Sequence, residues 1–258
     1  MPFDPACYRD SITADNLGRQ VYHYPSAPST MDVAFQLADQ GAQSGALVVA
    51  DEQSAGRGRT GREWLSQKEA GLWFSLLLLA EAPCESVGIL APATGLALAA
   101  LLTEELSLPA RVKWPNDVRV NGKKIAGALV ESRRQRRVIV IGVGLNLRLP
   151  SPLPEELAGE ITALEVERPE APPPEELLAH IMSRLEATLT PCLAQDTKAV
   201  VDEWPAFDEF IRRRVTVKVG RRVFTGADLG LAADGSLSLL TPHGLRLISA
   251  GELVGPSS

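Results

Sequence analysis

Cysteine is scarce in this sequence. Among its 258 residues there are three cysteines, Cys7, Cys84 and Cys192, and they lie far apart in the chain. No two of them form a CxxC pair, and an odd number of scattered cysteines argues against both a disulfide framework and a zinc site. We therefore interpret all three as reduced side chains that serve packing.

Positively charged residues are also fewer than negatively charged ones. The chain has 26 lysines and arginines against 32 aspartates and glutamates, which gives a formal net charge of −6. A protein that binds nucleic acid or an anionic membrane over a broad surface normally has the opposite balance. The sequence therefore predicts no DNA partner and no membrane partner, and its cationic side chains are expected to act only locally.

Long hydrophobic runs are missing too. The best apolar run, residues 72–80, is too short to span a bilayer. Asp4, Arg9 and Asp10 are not followed by an apolar stretch, so the beginning of the chain does not have the pattern of a secretory signal. Hydrophobic residues still make up 45% of the chain, which is enough for a buried core. We expect a cytoplasmic globular protein.

Hydrophobic periodicity predicts a mixed sheet with helices packed on it. Strands are predicted at residues 21–24, 46–52, 72–79, 111–114, 118–120, 125–131 and 138–147. Helices are predicted from the cap residues Ser29 and Thr30 to Gly41, at residues 87–106, and near residues 175–189 and 197–210. Asn121 and Gly122 give the strongest hairpin signal in the chain.

The last part of the chain has a different pattern. Short alternating segments at residues 215–219, 222–229, 236–240 and 245–248 are separated by turns, which is typical of a small β-barrel of the SH3 type. We therefore divide the chain into an N-terminal extension (residues 1–20), a catalytic domain that binds the substrates (residues 21–211) and an SH3-like C-terminal domain (residues 212–258).

The segment GRGRTGREW, Gly56 to Trp64, places Arg57, Arg59 and Arg62 between glycines. Glycines let backbone N–H groups approach a ligand, so this loop is predicted to bind an anion. Its glycines also satisfy the GxGxxG dinucleotide fingerprint, but that motif requires a helix directly after the glycines, and here another strand follows. A glycine-rich loop with solvated charges is the structural alternative.

Two further segments follow, KWPNDV (residues 113–118) and KKIAGALVE (residues 123–131). Pro115 forces a turn at which Asn116 and Asp117 can offer oxygens to a magnesium ion or a ribose, and Lys124 enters the next strand beside small residues. Alternatively, Asn116 and Asp117 only form the turn and the lysines are exposed hairpin residues. A fourth segment, GVGLNL (residues 142–147), has two glycines on one face of a strand, which mark either a bulge or a place where something flat approaches the backbone.

Together, these four segments resemble the biotin protein ligase family in sequence, order and separation. The resemblance extends from residue 21 to the C-terminus and includes GEL at residues 251–253. It implies an α+β fold: a class II synthetase-like, seven-stranded mixed sheet with helices on one face, plus a small C-terminal SH3-like β-barrel. It also implies that biotin is activated with ATP to biotinyl-adenylate and that the biotinyl group is transferred to a lysine of a biotin carboxyl carrier protein.

The resemblance assigns roles residue by residue. The residues implied to bind biotin are Ser29, Thr30, Met31, Gln53, Gly56, Arg57, Gly58, Arg59, Lys124 and Gly127. The residues implied to bind ATP are Arg59, Arg62, Trp64, Lys113, Asn116, Asp117 and Asn146. The residues implied to be catalytic are Arg59, Lys124 and Asp117, and Asp117 is also a candidate ligand for Mg²⁺. No tightly bound prosthetic group is implied, and a homodimer stays open.

Two other classes of function are alternatives to biotin ligation. A lipoate ligase or octanoyltransferase shares the sheet and the type of reaction, but its glycine-rich, histidine-containing signature is absent from this sequence. A biotin-sensing repressor or a pure binding module would need a DNA-reading helix or would lack the ATP residues. Melting temperatures measured with biotin and with lipoate would separate the two ligase activities.

The first testable expectation concerns DNA. Many bacterial members of the family carry an N-terminal winged helix, whereas the first twenty residues here are too few to form one, and the acidic balance offers no substitute. We expect the chain not to retard DNA from its own promoter region in a gel at physiological salt. Retardation of that DNA beyond the retardation of an unrelated fragment would contradict this expectation.

Overall fold

The computed structural model describes residues 2–80, 87–133 and 137–256. Seven strands form the larger sheet: β1 (Val21–Tyr24), β2 (Leu47–Ala50), β3 (Gly71–Leu79), β4 (Ala110–Lys113), β5 (Asp117–Val120), β6 (Lys123–Arg133) and β7 (Val138–Asn146). Their order is β1-β2-β3-β7-β6-β5-β4; β1 and β2 are parallel and the other neighbours are antiparallel. The predicted mixed sheet is confirmed.

In the described part of the chain, six α-helices accompany the sheets: α1 (Pro5–Ser11), α2 (Thr30–Asp39), α3 (Val87–Glu104), α4 (Leu164–Glu167), α5 (Pro174–Leu193) and α6 (Lys198–Phe207). Leu76 packs in the core cluster that contains α3 and α5, whereas Leu77 packs in the cluster that contains α2. Because successive strand residues point to opposite faces, α2 lies on the face opposite α3. The expectation of helices on one face is therefore wrong for α2. The apolar run of β3 is buried on both sides and has no alternation that would have revealed this.

Helix α3 is the core helix of the larger unit. Within the described residues it is the one helix that is long and apolar enough to cross a membrane, yet 72% of it is buried inside the fold. It packs against β4, β5 and β6 on one side and against α5 on the other. Its uniform apolarity thus reflects a helix covered on all sides by protein.

The hairpin between β5 and β6 has the predicted turn. Asn121 and Gly122 both have positive φ, 51° and 78°. A two-residue turn with positive φ at both positions matches the twist of paired strands, and asparagine followed by glycine is the sequence that adopts it most readily. The turn sets how β6 begins, and Lys124 is its second residue.

The C-terminal unit is a five-stranded antiparallel sheet. Its strands are β8 (Arg214–Val219), β9 (Arg222–Leu231), β10 (Leu237–Thr241), β11 (Gly244–Ile248) and β12 (Glu252–Pro256), in the order β11-β10-β9-β8-β12. The arrangement agrees with the predicted SH3-like unit. Only β12 was not predicted as a strand, because its register shifts between Leu253 and Gly255 and so interrupts the alternation.

The C-terminal unit is packed tightly against the larger one. The indole N–H of Trp114 donates to the carbonyl of Gly235 at 3.1 Å, and this bond is buried. Gly235 has φ +84°, and a Cβ there would lie 2.5 Å from the carbonyl oxygen of Gly88, at the beginning of α3. Only glycine allows this approach. Trp114 belongs to the KWPNDV segment, so the two units meet next to the candidate site.

The first residues of the chain belong to the core. Tyr8 on α1 is fully buried, and its hydroxyl donates to the carbonyl of Gly18 at 3.1 Å. The backbone N–H of Phe3 donates to the Asp51 carboxylate at 3.1 Å, just after β2. Helix α1 packs along α5. The boundary proposed at residue 20 therefore separates segments that share one hydrophobic core.

Two carboxylates are buried where α6 meets β9. Asp208 accepts hydrogen bonds from the indole of Trp204 at 2.6 Å and from the backbone of Phe210 at 2.9 Å. Asp228 accepts one bond from the backbone of Gly230 at 2.8 Å, and its second carboxylate oxygen is buried without a partner. Burial, together with the charge of Asp208, raises the pKa of Asp228 to about 7.

Asp228→Asn is therefore expected to change how stability depends on pH. Because the pKa of Asp228 is raised in the folded state from 3.8, its stabilising contribution is complete below that value and is lost as the pH rises toward 7. The loss is at most about 1.4 kcal/mol per pH unit. Between pH 5 and pH 8, the melting temperature of Asp228→Asn should rise relative to that of the wild type as the pH increases. The same substitution at exposed Asp202 on α6 is the control, and parallel pH profiles of Asp228→Asn and wild type would contradict this prediction.

Candidate active site

One cavity of about 440 Å³ collects almost every site residue predicted from the sequence. This volume suits a small organic ligand. Fifteen of the sixteen predicted residues line it: Ser29, Thr30, Met31, Gln53, Arg57, Gly58, Arg59, Arg62, Trp64, Lys113, Asn116, Asp117, Lys124, Gly127 and Asn146. The exception is Gly56, the first residue of the loop, which is buried. A Cβ on it would lie 2.4 Å from the carbonyl oxygen of Trp64. Gly56 therefore shapes the loop and does not line the cavity.

At the beginning of α2 the cavity has a polar end. The Gln53 side-chain oxygen accepts the backbone N–H of Thr30 at 2.8 Å, and the Gln53 amide donates to the Ser66 hydroxyl at 2.8 Å. The Thr30 hydroxyl lies 2.8 Å from the hydroxyl of Ser75. Together these groups offer several donors and acceptors within a small, mostly buried volume, which suits a compact polar ring.

The hydroxyls of Ser66 and Ser75 at this end of the cavity could not be identified from the sequence. Ser75 is fully buried in the middle of β3 and is the one polar residue of that strand. A lone hydroxyl in a buried apolar strand is a weak signal, because a serine there is often satisfied by its own backbone. Here the Ser75 hydroxyl faces Thr30, and thus supports a residue that lines the cavity.

The floor of the cavity consists of glycine backbone covered by an indole. Gly127 on β6 and Gly144 on β7 are cross-strand partners, and Cβ atoms on them would lie 3.0 Å and 2.4 Å from the ring of Trp64. The register of β7 runs without a shift through Gly142 and Gly144. The glycines of GVGLNL thus mark a close approach and not a bulge, and the flat group that approaches Gly144 is Trp64.

The three arginines of the loop have different electrostatic surroundings. Arg57 lies 2.6 Å from the Asp32 carboxylate and 3.4 Å from the Glu131 carboxylate, and the bond to Asp32 raises the pKa of Arg57. Arg62 lies 2.7 Å from the Glu252 carboxylate of β12, which raises the pKa of Arg62 and lowers that of Glu252. Both arginines stay charged, but each is matched by at least one carboxylate.

Arg59 is different because its acceptors are neutral. Its guanidinium donates to the Asn116 side-chain oxygen at 3.4 Å and to the Gly251 carbonyl at 3.1 Å. Within the described residues, no carboxylate lies at ion-pair distance from it. Burial lowers the pKa of Arg59, which shows that the surroundings compensate its charge incompletely. Asp117 and Glu252 act on Arg59 only from beyond ion-pair distance, so this half-buried cation attracts an anionic ligand.

Lys124 and Asp117 form an ion pair inside the cavity. The Lys124 ammonium lies 2.6 Å from the Asp117 carboxylate and 4.6 Å from the centroid of the Trp64 ring. The pair has partial access to solvent, since the two side chains are 28% and 30% exposed. Asp117, predicted as a metal ligand or a base, thus balances Lys124 in this structure.

A lid over the cavity comes from the chain after β7. The backbone N–H of Lys124 donates to the Glu160 carbonyl at 2.9 Å, and the Asn146 side chain donates to the Thr162 carbonyl at 3.0 Å. These bonds fix the lid to β6 and β7. Leu157 and Ile161 line the cavity from this side, so its wall is aliphatic, in agreement with the absence of aromatic residues from the segment.

The described residues contain no group of three or more histidines, cysteines, aspartates or glutamates that could hold a metal ion. Two of the cysteines fall in described segments, Cys7 at the surface and Cys192 in the interior, while Cys84 lies outside the described residues. Asn116 and Asp117, whose oxygens were predicted to serve a magnesium ion, both line the cavity.

Known proteins resemble this chain in sequence. The family described as "Biotin/lipoate A/B protein ligase family" matches residues 24–146. The biotin acetyl-CoA-carboxylase ligase of Paracoccus denitrificans is 32% identical over 250 residues, which cover 87% of this chain and 96% of that protein. The corresponding ligase of Mycobacterium tuberculosis is 29% identical over 260 residues, covering 98% of this chain and 96% of that protein.

The fold is also similar to that of a solved biotin protein ligase. The biotin protein ligase of Aquifex aeolicus, solved in complex with biotin and ATP, superimposes with a TM-score of 0.75 at 28% identity, covering 91% of this chain and 97% of that one. The similarity thus includes both the larger sheet and the C-terminal unit. By sequence and by fold, the chain belongs to the biotin protein ligase family.

Proposed function

We propose that this protein is an ATP-dependent biotin protein ligase, which makes biotinyl-adenylate from biotin and ATP and transfers the biotinyl group to a lysine of a biotin carboxyl carrier protein. The observation that carries the proposal is the cavity itself, which is polar at the α2 end and cationic at Arg59 and Lys124. A polar ring at one end and a carboxylate at the other are the two ends of biotin.

We place the biotin ring at the α2 end. Gln53, Thr30 and Ser29 offer hydrogen bonds there, and Met31 fills the space against Gly142, where a Cβ would lie 2.8 Å from the Met31 sulfur. The aliphatic chain then runs beside Trp64 and Gly127. Its carboxylate reaches Arg59 and Lys124, whose charges suit an anion.

We place ATP at the other end, under the lid. Arg62, Lys113 and Lys124 supply positive charge for the phosphates, and Asn146 lies where the lid joins β7. The proposed Mg²⁺ fits this end, because one amide oxygen from Asn116 and one carboxylate from Asp117 are a usual protein contribution when phosphates and water complete the coordination. Such an ion would neutralise phosphate charge when bound.

The chemistry needs no nucleophile from the protein. The biotin carboxylate attacks the α-phosphorus of ATP and pyrophosphate leaves; a lysine amine of the carrier then attacks the acyl carbon of the mixed anhydride and AMP leaves. Arg59 and Lys124 stabilise the negative charge that builds on the phosphorus oxygens, and the cavity holds the reacting groups together. Asp117 lies beside this position and would orient or deprotonate the incoming amine.

The proposed partners are biotin, ATP and the carrier protein, and the proposed location is the cytoplasm, where ATP is available. Pairing of a second copy along β1, an edge strand of the larger sheet, would give a homodimer, which sedimentation velocity tests.

Exchange of labelled pyrophosphate into ATP tests the proposed activity directly. The wild-type protein should catalyse exchange when biotin is present and show none without it, because formation of the adenylate is the step that is reversed. Lipoate in place of biotin is the second arm. Exchange that depends on lipoate and not on biotin would favour the lipoate ligase alternative, and exchange with neither would contradict both activities.

A further inference from the structure

Two acidic residues beside the cavity take no part in the proposed reaction. Asp32 lies in the first turn of α2, and Glu131 is the last residue of KKIAGALVE, on β6. Both carboxylates contact the guanidinium of Arg57, at 2.6 Å and 3.4 Å. The three side chains are between 35% and 46% exposed, so the cluster lies at the rim of the cavity.

The loop that carries Arg57 is a small closed hairpin. The N–H of Gly58 donates to the carbonyl of Arg62 at 2.7 Å, and the N–H of Trp64 donates to the carbonyl of Gly56 at 2.9 Å. Because these bonds are internal to the loop, they do not fix where it stands over the sheet. On the first side of the hairpin, side chains link the loop to the larger unit in two places: Arg57 contacts Asp32 and Glu131, and Arg59 donates to Asn116 over a longer distance of 3.4 Å.

We propose that Asp32 and Glu131 are positioning residues that hold Arg57 as an anchor of this loop, and that Arg59 is consequently the arginine that receives the anionic ligand. This rests on the proposed function for the identity of the ligand. The resemblance to the family assigned both Arg57 and Arg59 to the binding of biotin. The structure distinguishes them by their surroundings.

Charge supports this distinction. One guanidinium between two carboxylates has a net charge of −1, which does not attract an anion. Arg59 has neutral acceptors, and its charge is left for the ligand. An ion pair at this exposure contributes modestly to overall stability, so the effect of breaking it should appear in the position of the loop more than in the melting temperature.

Two mechanisms predict opposite signs for Asp32→Asn. If the carboxylate only adds negative charge near the site, its removal should strengthen binding of anionic biotin. If it anchors Arg57, its removal should loosen the loop and let biotin escape faster. The anchor mechanism therefore predicts a higher KM for biotin with an unchanged kcat, because the reacting groups themselves are intact.

The first measurement is hydrogen exchange of the backbone amides of residues 56–63 in the protein alone. Exchange should be about fivefold faster in Asp32→Asn and in Arg57→Gln, which corresponds to about 1 kcal/mol. The double variant should match Arg57→Gln within about twofold, because Asp32 acts through Arg57. Glu131→Gln should give a smaller change, since its contact is longer.

The second measurement is steady-state biotinylation of a carrier protein. The KM for biotin should rise about fivefold in Asp32→Asn, with kcat within about twofold of wild type. Asp39→Asn is the matched control, because Asp39 also joins α2 to β6, through Arg133 at 3.1 Å, whereas Asp32 contacts the loop through Arg57. Its loop exchange and its KM should equal those of wild type.

Several outcomes would overturn the proposal: wild-type exchange rates in Asp32→Asn, additive effects in the double variant, a lower KM, or equal effects in Asp39→Asn. Absence of biotin-dependent pyrophosphate exchange in the wild type would instead contradict the proposed function. The amide exchange arm needs no ligand, so it decides on the anchor in either case.

Discussion

Replacing Lys124 by alanine is expected to lower biotin-dependent pyrophosphate exchange by about two to three powers of ten. The ammonium lies in the cavity, 2.6 Å from Asp117 and 4.6 Å from the centroid of the Trp64 ring, where the biotin carboxylate is proposed to meet the α-phosphate. A fixed positive charge at this position stabilises charge that builds up in the transition state. The loss should therefore appear in the rate at saturating biotin and ATP.

Lys123→Ala is the matched control for this prediction. Lys123 is the neighbouring residue of β6, is exposed, and does not line the cavity. The fold should survive in both variants, because an ion pair whose side chains are 28% and 30% exposed contributes about 1 kcal/mol or less. A loss of melting temperature that parallels the loss of exchange, or an equal loss in Lys123→Ala, would show that Lys124 acts through the fold.

Most of the fold could be predicted because its elements have local signals. The strands alternate or form short apolar runs, α3 is too long and too uniformly apolar to be a strand, and the Asn121–Gly122 turn has a specific sequence. The face on which α2 packs could not be predicted, because β3 is apolar on both sides. Nor could the packing of α1, because a helix of seven residues forms only through contacts such as that of Tyr8.

The candidate site shows the same division between local and distant information. The four motifs contain eleven of the fifteen predicted residues that line the cavity, because the family resemblance depends on short segments. The carboxylates that pair with the loop arginines could not be predicted from these motifs. Arg57 is 74 residues from Glu131 in the chain, and Arg62 is 190 residues from Glu252. No local pattern indicates which arginine has a carboxylate beside it, although this decides which arginine is available to a ligand.

Arg59→Gly is expected to make the protein release its intermediate. Biotinyl-adenylate is a mixed anhydride that any amine can attack, so selectivity for the carrier requires that the cavity hold it until the carrier docks. Among the residues that the structure describes, no carboxylate lies at ion-pair distance from Arg59, and its neutral acceptors leave its charge for the adenylate phosphate. A charge-assisted contact contributes about 1.5 to 3 kcal/mol, so release should be faster by about one to two powers of ten.

The variant should consequently biotinylate lysines of a bystander such as serum albumin, which the wild type leaves unlabelled. The measurement is a streptavidin blot of albumin and carrier incubated together with each enzyme, biotin, ATP and Mg²⁺. Arg62→Gly is the comparison within the same loop. Arg62 is 67% exposed and paired with Glu252, so its loss should slow the use of ATP without freeing the intermediate.

Synthesis and retention are separable in this prediction, because Lys124 still supplies charge for slow synthesis when Arg59 is gone. Gel filtration of enzyme loaded with labelled biotin and ATP measures retention alone: the label should stay with the wild type and with Arg62→Gly, and separate from Arg59→Gly. If the Arg59 variant labels only the carrier, or keeps its adenylate through the column as long as the wild type does, then the charge of Arg59 does not hold the intermediate. The phosphate would then have to be held by Lys124 and the KWPNDV turn, and the loop would serve only to cover the cavity.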